Sequence, residues 1–292
     1  MANGYEFLAE NCAGRGLWKE TLGYAARDRE LGTRSGSLAR VAWADFATVQ
    51  ALLGTGKLAE ARAVAQGALR LCEQIGEFRL ATWLDPALAI IAADMGDDAA
   101  ASQHAQSALD RAQQLQQLVL TAWALHAAAY AAMRRDDVDE AMRMYAQYLP
   151  LVRETENGIV RNFMLGSAAE AYLRAGRVDE AAALVAQAIG IAEFAGAPHY
   201  LALDLRVQGQ VFAAQGRHED ALASFDRAIA LFEQTGSRLE YNRALYHRAL
   251  LLLEHGNDAQ KTAARSDAGA AREAFAEMGA VHDREWAERL PG

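Results

Sequence analysis

Apolar residues recur at three- and four-residue spacings in stretch after stretch of this chain. Ala181, Leu184, Val185, Ala188, Ile189 and Ala192 form one such set, and Ala221, Leu222, Phe225, Ala228, Ile229 and Phe232 form another. Each set draws an apolar stripe along one side of a helix buried on that side. Arg177, Asp179, Glu180, Arg217, Glu219 and Asp220 fall on the other side, in or near the first turn, where carboxylates also suit the positive end of the helix dipole. The pattern predicts pairs of helices of about 15 to 18 residues, each pair joined at a glycine.

The two sets stand forty positions apart, and so do their surroundings. Gly176-Arg-Val-Asp-Glu-Ala181 returns as Gly216-Arg-His-Glu-Asp-Ala221, and Gly196 returns as Gly236. Self-similarity at a fixed step of this size marks a stacked repeat. Extended both ways, the step gives Gly16, Gly56, Gly96, Asp136, Gly176, Gly216 and Gly256, and five places on come Thr21, Ala61, Ala101, Ala141, Ala181, Ala221 and Lys261. The glycine supplies the positive φ that stops one helix, and the small residue lets the next approach it closely. Gly279, which closes the last second helix, falls three places late, so a three-residue insertion is expected within 257–266.

The ends are less regular. Gly14, Gly16, Gly23, Gly32 and Gly36 loosen the first unit, whose second helix is expected to stop near Leu31. At the other end 268–278 reads as the last second helix and Val281 to Leu290 as a short cap laying Val281, Trp286 and Leu290 over a bare apolar end. Asp85 and Pro86 read as the N-cap and first position of a helix, and Pro150 as a kink.

A turn glycine, an alanine five on, a large apolar residue nine on (Tyr145, Val185, Phe225) and a small one twelve on (Ala68, Ala108, Ala188, Ala228) together resemble the tetratricopeptide repeat. The first helices add the small position Val49, Ala89, Ala129, Ala169, Gly209 and Ala249. The period, forty instead of thirty-four, and the lack of a proline after most second helices depart from that family. The longer step is similar to the repeats of kinesin light chains and of the helical arms of bacterial multidomain regulators. HEAT and armadillo arrays share the period range but do not call for this glycine-to-alanine spacing. The resemblance implies an all-α, right-handed α-solenoid of about seven antiparallel helix pairs with a short C-terminal cap. It would form one domain over 1–292, with units at about 1–40, 41–80, 81–120, 121–160, 161–200, 201–240 and 241–279 and a cap at 280–292.

Composition narrows the function. With 38 acidic and 29 basic residues the net charge is −9, and no run of lysine or arginine offers a local basic patch, which argues against nucleic acid and anionic membranes as partners. No apolar run approaches the roughly 20 residues that span a bilayer, and the start, MANGYEFLAEN, has no basic-then-apolar leader, so a cytoplasmic protein, bacterial in style, is expected. Cys12 and Cys72 lie in different units without CxxC spacing and read as buried or half-buried thiols. The seven histidines form no HxxxH or HExxH, no phosphate-cradling glycine motif is present, and no serine has a nucleophile-elbow context. No catalytic residue, metal or cofactor is expected, and the chain reads as a non-enzyme.

Candidate binding residues come from aligning the first helices. Thirteen places before each turn stand Asn3, Trp43, Trp83, Trp123, Phe163, Leu203 and Arg243; ten before stand Phe46, Pro86, His126, Gly166, Arg206 and Tyr246; six before stand Gln50, Ile90, Tyr130, Glu170, Gln210 and Leu250. The aromatic column is either the wall of a groove, where rigid rings hold a peptide, or the seam between neighbouring helices. Arg174, Arg206, Arg243 and Arg248 either fork onto an acidic partner or pair with Glu170, Asp204 and Glu240 on a solvated face. The candidate groove is therefore Trp43, Phe46, Trp83, Trp123, His126, Tyr130, Phe163, Arg174, Arg206, Arg243 and Tyr246. The function expected is a protein or peptide interaction module, an arm of a larger signalling or transcriptional regulator or a free-standing adaptor. The alternative is a sensor whose superhelix changes shape on binding a small molecule or signalling peptide.

Overall fold

The computed structural model describes residues 4–153 and 158–290, and these are helical almost throughout, with no strand. The helices are α1 (Gly4–Gly14), α2 (Trp18–Ser35), α3 (Leu38–Gly54), α4 (Leu58–Ile75), α5 (Phe78–Asp94), α6 (Asp98–Leu115), α7 (Leu118–Arg134) and α8 (Val138–Arg153), followed by α9 (Gly158–Arg174), α10 (Val178–Ala195), α11 (Pro198–Ala214), α12 (His218–Thr235), α13 (Arg238–His255), α14 (Asp258–Met278) and α15 (Val281–Glu288). Within each of two parts of the chain, α1–α8 and α9–α15, each first helix packs on the second helix that follows it, and each second helix packs on the next first helix. By packing, the chain divides into two compact units, Met1–Thr155 and Glu156–Gly292.

The corners explain the pairing. Gly16, Gly56, Gly96, Gly176 and Gly216 all have φ between 72° and 76°, and Asp136 takes the same left-handed conformation at φ 61°. At each, the chain folds back on paired backbone bonds; at Gly56 they run from Gly56 N–H to Leu53 O (3.0 Å) and from Lys57 N–H to Leu52 O (2.8 Å), which satisfies carbonyls the helix end would otherwise leave open. Five residues on, Thr21, Ala61, Ala101, Ala141, Ala181 and Ala221 are each fully buried. A larger side chain there would hold the two helices apart.

Gly256 breaks the rule. Its backbone is extended (φ −75°, ψ 163°), and Asn257 instead starts α14 with a capping box to Gln260. The three inserted residues appear as helix: α14 has 21 residues against 18 in α12. Beyond them the pattern resumes three places late, with Ala264, Ala271 and Phe275 buried where Ala221, Ala228 and Phe232 are buried one pair earlier.

Three local expectations are corrected. The second helix of the first pair does not stop at Leu31 but runs to Ser35, where Gly36 at φ 70° closes it, as Gly76 closes α4. Pro86 does not start a helix; it lies in the middle of α5. Asp85 is accordingly not an N-cap: it is buried, with Oδ1 3.0 Å from His104 Nδ1 and Oδ2 2.8 Å from Arg111 Nε, both on α6. In the first unit the main core joins Phe46, Val49, Ala61, Ala65, Cys72, Leu80, Leu84 and Leu88; in the second, clusters around Val185, Val207 and Val211 and around Leu205, Ala228 and Phe232 follow the stack. Full burial of one such large apolar side chain is worth about 1.5–3 kcal/mol.

Candidate functional site

Consecutive first helices touch one another within each unit, as α5 does α7 and α9 does α11, whereas consecutive second helices hardly meet. The first helices thus form the inner side of each unit, and the columns aligned above fall there.

In the first unit the inner face is aromatic. Trp43, Trp83 and Trp123 are each half-buried, and Trp43 and Trp83 pack against the core. Rings touch in an unbroken run: Trp43 to Phe46, Phe46 to Trp83 and Trp83 to Trp123, all at 6.2 Å between centroids, then Trp123 to His126 at 5.5 Å. Trp123 Nε1 donates to Trp83 O at 3.4 Å, and the Arg79 guanidinium lies 5.8 Å over Trp43. The column is thus a half-buried seam between neighbouring helices. Phe46 and His126, in contrast, are buried and leave no free surface. Burial drives the His126 imidazole down to about 3, so it stays neutral among Trp123, Tyr130, Tyr145 and Tyr148. Tyr130 is half-buried and its hydroxyl donates to Asp94 Oδ1 at 2.6 Å.

In the second unit the same face is charged. Glu170 of α9 accepts from Arg206 of α11 (3.1 Å), Arg206 Nε lies 3.3 Å from Glu240 of α13, Glu240 accepts from Arg243 (2.6 Å), and Arg243 grips Asp283 of α15 through both Nε (2.9 Å) and Nη2 (2.8 Å). Charges of alternating sign thus cross four successive first helices. Burial would raise the Glu170 carboxyl, but Arg206, then His247 and Arg174, outweigh it and hold the group at about 2. Arg206 and Arg243 are buried, so neither of these two expected anchors is free for an acidic partner. The expected pairing with Glu170 and Glu240 is present, within the packing instead of on a solvated face. Asp204 is not among these partners. It is buried, takes a hydrogen bond from Asn162 Nδ2 (2.6 Å), and burial pushes its carboxyl up to about 8 against the pull of Asn162 and Arg206. Gly166 makes room for it, since a Cβ there would collide with the Asp204 carboxylate.

Phe163, Arg174 and Tyr246 are half-buried. Phe163 meets Tyr200 edge-on at 5.9 Å, and the Arg174 guanidinium lies 5.0 Å over the ring of Trp286, on α15. Trp286 therefore does not simply cover an apolar end; Leu290 does that, packing with Leu252 and Leu253 against Ala249, Ala264 and Ala268. Asp283 and Trp286 are site residues that the sequence reading missed. The three-residue insertion hid them: counted forty-three on from Glu240 and Arg243, they occupy the same two positions of an eighth first helix, and Trp286 joins the tryptophan column.

Arg248 lies away from the inner face, in an open cavity of about 280 Å³ between α12, α13 and α14, where it pairs with Asp226 (2.7 Å) and Asp267 (2.6 Å). Among the described residues no group of three or more His, Cys, Asp or Glu is set to hold a metal, and no helix is long and apolar enough to cross a membrane. Cys12 is half-buried and Cys72 buried, both free, with burial raising the Cys72 thiol to about 11. His199 is buried with Nδ1 2.9 Å from Ser237 Oγ, a structural role.

Residues 161–234 match the sequence profile of the tetratricopeptide repeat family. No curated protein sequence matches the chain. Among solved structures the fold is similar to that of a Rap protein complexed with competence and sporulation factor (TM-score 0.76, 16% identity, covering 95% of this chain and 76% of that one). BtubC (BKLC) from P. vanneervenii is also similar, with a TM-score of 0.53 and 18% identity over 74% of this chain and 91% of that one. Aspartyl phosphate phosphatase F from Bacillus subtilis gives a TM-score of 0.52 and 15% identity over 99% and 78%. The profile match within the second unit and the same glycine-to-alanine corner earlier in the chain, as at Gly56 and Gly96, support a repeat protein of the tetratricopeptide type.

Proposed function

We propose that this protein is an interaction module that holds an extended segment of a protein partner along the inner face of its first helices. The tetratricopeptide repeats support a protein–protein interaction module; the finer reading rests on the chain's own side chains. The observation that carries it is that Trp43, Trp83 and Trp123 stand at one repeat position on three successive first helices, each only half-buried. Such a strip offers large, rigid apolar area at small entropic cost, and the receptor needs little reordering. The binding residues proposed are Trp43, Trp83 and Trp123, with Tyr130 beside them; in the second unit, Phe163, Arg174 and Tyr246 are the half-buried candidates. A Rap protein of this fold has been solved in complex with competence and sporulation factor, which supports the fold's capacity to carry a ligand. The sensor reading gains nothing from the cavity at Arg248, which has no aromatic side chain in its lining.

The test is selection of displayed random twelve-residue peptides on the immobilised chain. Enriched peptides are expected to bind the parent and to lose at least tenfold in affinity to the Trp83→Leu/Trp123→Leu variant. Equal affinity for a variant whose unfolding midpoint matches the parent's overturns the strip as the binding surface.

A further inference from the structure

The inner face of the second unit already holds a segment. Asp283 of α15 is buried with its carboxylate gripped at both oxygens by Arg243. One helical turn on, the half-buried Trp286 ring lies 5.0 Å from the guanidinium of Arg174, which belongs to α9, the first helix of that unit in chain order. Residues three apart lie on the same side of a helix, so α15 presents one acid and one aromatic ring from a single face to two arginines on two other helices. An arginine fork on a carboxylate and an arginine over an indole are both recognition contacts that depend on geometry as well as charge. α15 is also short, with eight residues, and packs on α14.

We propose that α15 is an internal stand-in for the partner: a helical protein segment carrying an acidic residue and, three places on, an aromatic one takes the same place, Asp or Glu on Arg243 and the ring on Arg174, by displacing α15. This rests on the reading of the array as a segment-binding module, but not on the tryptophan strip of the first unit. Tethering gives α15 a high effective concentration, so the closed form lowers the apparent affinity for any outside segment by the fraction of time the site is open.

The experiment uses a fluorescein-labelled synthetic peptide of residues 279–290 and the full-length chain, with anisotropy as the readout. The Asp283→Ala/Trp286→Ala variant, with its own anchors removed, is expected to bind the peptide at least tenfold more tightly than the parent, and adding Arg243→Ala is expected to remove that gain. A folded double variant that does not bind the peptide overturns the proposal, and so does binding that Arg243→Ala leaves unchanged. Should the double variant not fold, the parent labelled with 5-fluorotryptophan serves instead: excess peptide is expected to shift the Trp286 fluorine resonance, assigned through Trp286→Phe, and an unmoved resonance overturns the proposal. Failure here leaves the Trp83→Leu/Trp123→Leu result untouched, so loss of this inference and loss of the interaction reading are separately visible.

Discussion

The two units share a frame and differ in what the frame displays. In both, a residue in the left-handed conformation turns the chain and a fully buried small residue sits five places on; Ala61 and Ala101 in one unit and Ala181 and Ala221 in the other are interchangeable in role. On the inner face the same repeat positions carry Trp43, Trp83 and Trp123 in the first unit, but Leu203, Arg243 and Trp286 follow Phe163 in the second. The first unit ties neighbouring helices with rings, of which the tryptophans are half-buried. The second ties them with an ion ladder whose arginines are buried and occupied. Corners therefore decide how helices stack, while columns decide what the stack can hold, and the two can change independently.

The largest effect is expected from breaking the ladder. Arg206→Ala removes a buried cation from between the half-buried Glu170 and Glu240, and breaking a buried pair costs at most about 3–5 kcal/mol; the urea midpoint of the second unit should fall accordingly, with the first unit unaffected. Overfilling a corner should cost less and should not distinguish the units. Ala61→Leu and Ala181→Leu are each expected to lose about 1–3 kcal/mol, and a difference between them larger than that range would show that the two frames are not equivalent.

Acidity offers a third contrast, which in the second unit runs through carboxyl groups. The Asp204 carboxyl is raised to about 8, so the folded form keeps its proton after the unfolded form has lost it. Stability from this group is complete below the unfolded value near 4 and declines as pH rises toward 8. Asp204→Asn should flatten the stability profile between those limits. Glu170, held at about 2, acts in the opposite sense: its contribution is present above about 4.5 and is lost as pH falls through 2. The smallest effect is expected at Asp136, one of two non-glycine residues, with Gln116, that take the left-handed conformation among the described residues. Asp136→Gly relieves a side chain held at φ 61° and should stabilise the first unit by no more than about 1 kcal/mol, read as a small rise in its melting temperature.

Most of the frame is legible in the sequence because it repeats. Small residues at Ala181 and Ala221 can stand at a fixed step only if the same close approach recurs, and the step places nearly every helix end within a few residues. What does not repeat is harder to see. Pro86 looks like a helix start because proline suits the first turn, yet it lies within α5, where Asp85 pairs sideways with α6. The three residues added in α14 shift the register, so the kinship of Asp283 and Trp286 with Glu240 and Arg243 is hidden from a count of forty. Burial is the other blind spot. Arg206 and Arg243 read equally well as free anchors or as solvated pairs, and only the packing of α9, α11, α13 and α15 places them inside the ladder. Nor does spacing alone separate Trp83, half open, from Phe46, closed.

The separation of frame from face is tested most directly by calorimetric titration of a selected peptide into three proteins at a temperature where all are folded: the parent, Trp83→Leu/Trp123→Leu and Ala61→Leu. The account predicts at least a tenfold loss of affinity for the tryptophan variant and none for the corner variant, although the corner variant has the lower unfolding midpoint. Affinity that follows stability across the three proteins, or that survives loss of both tryptophans, would contradict it.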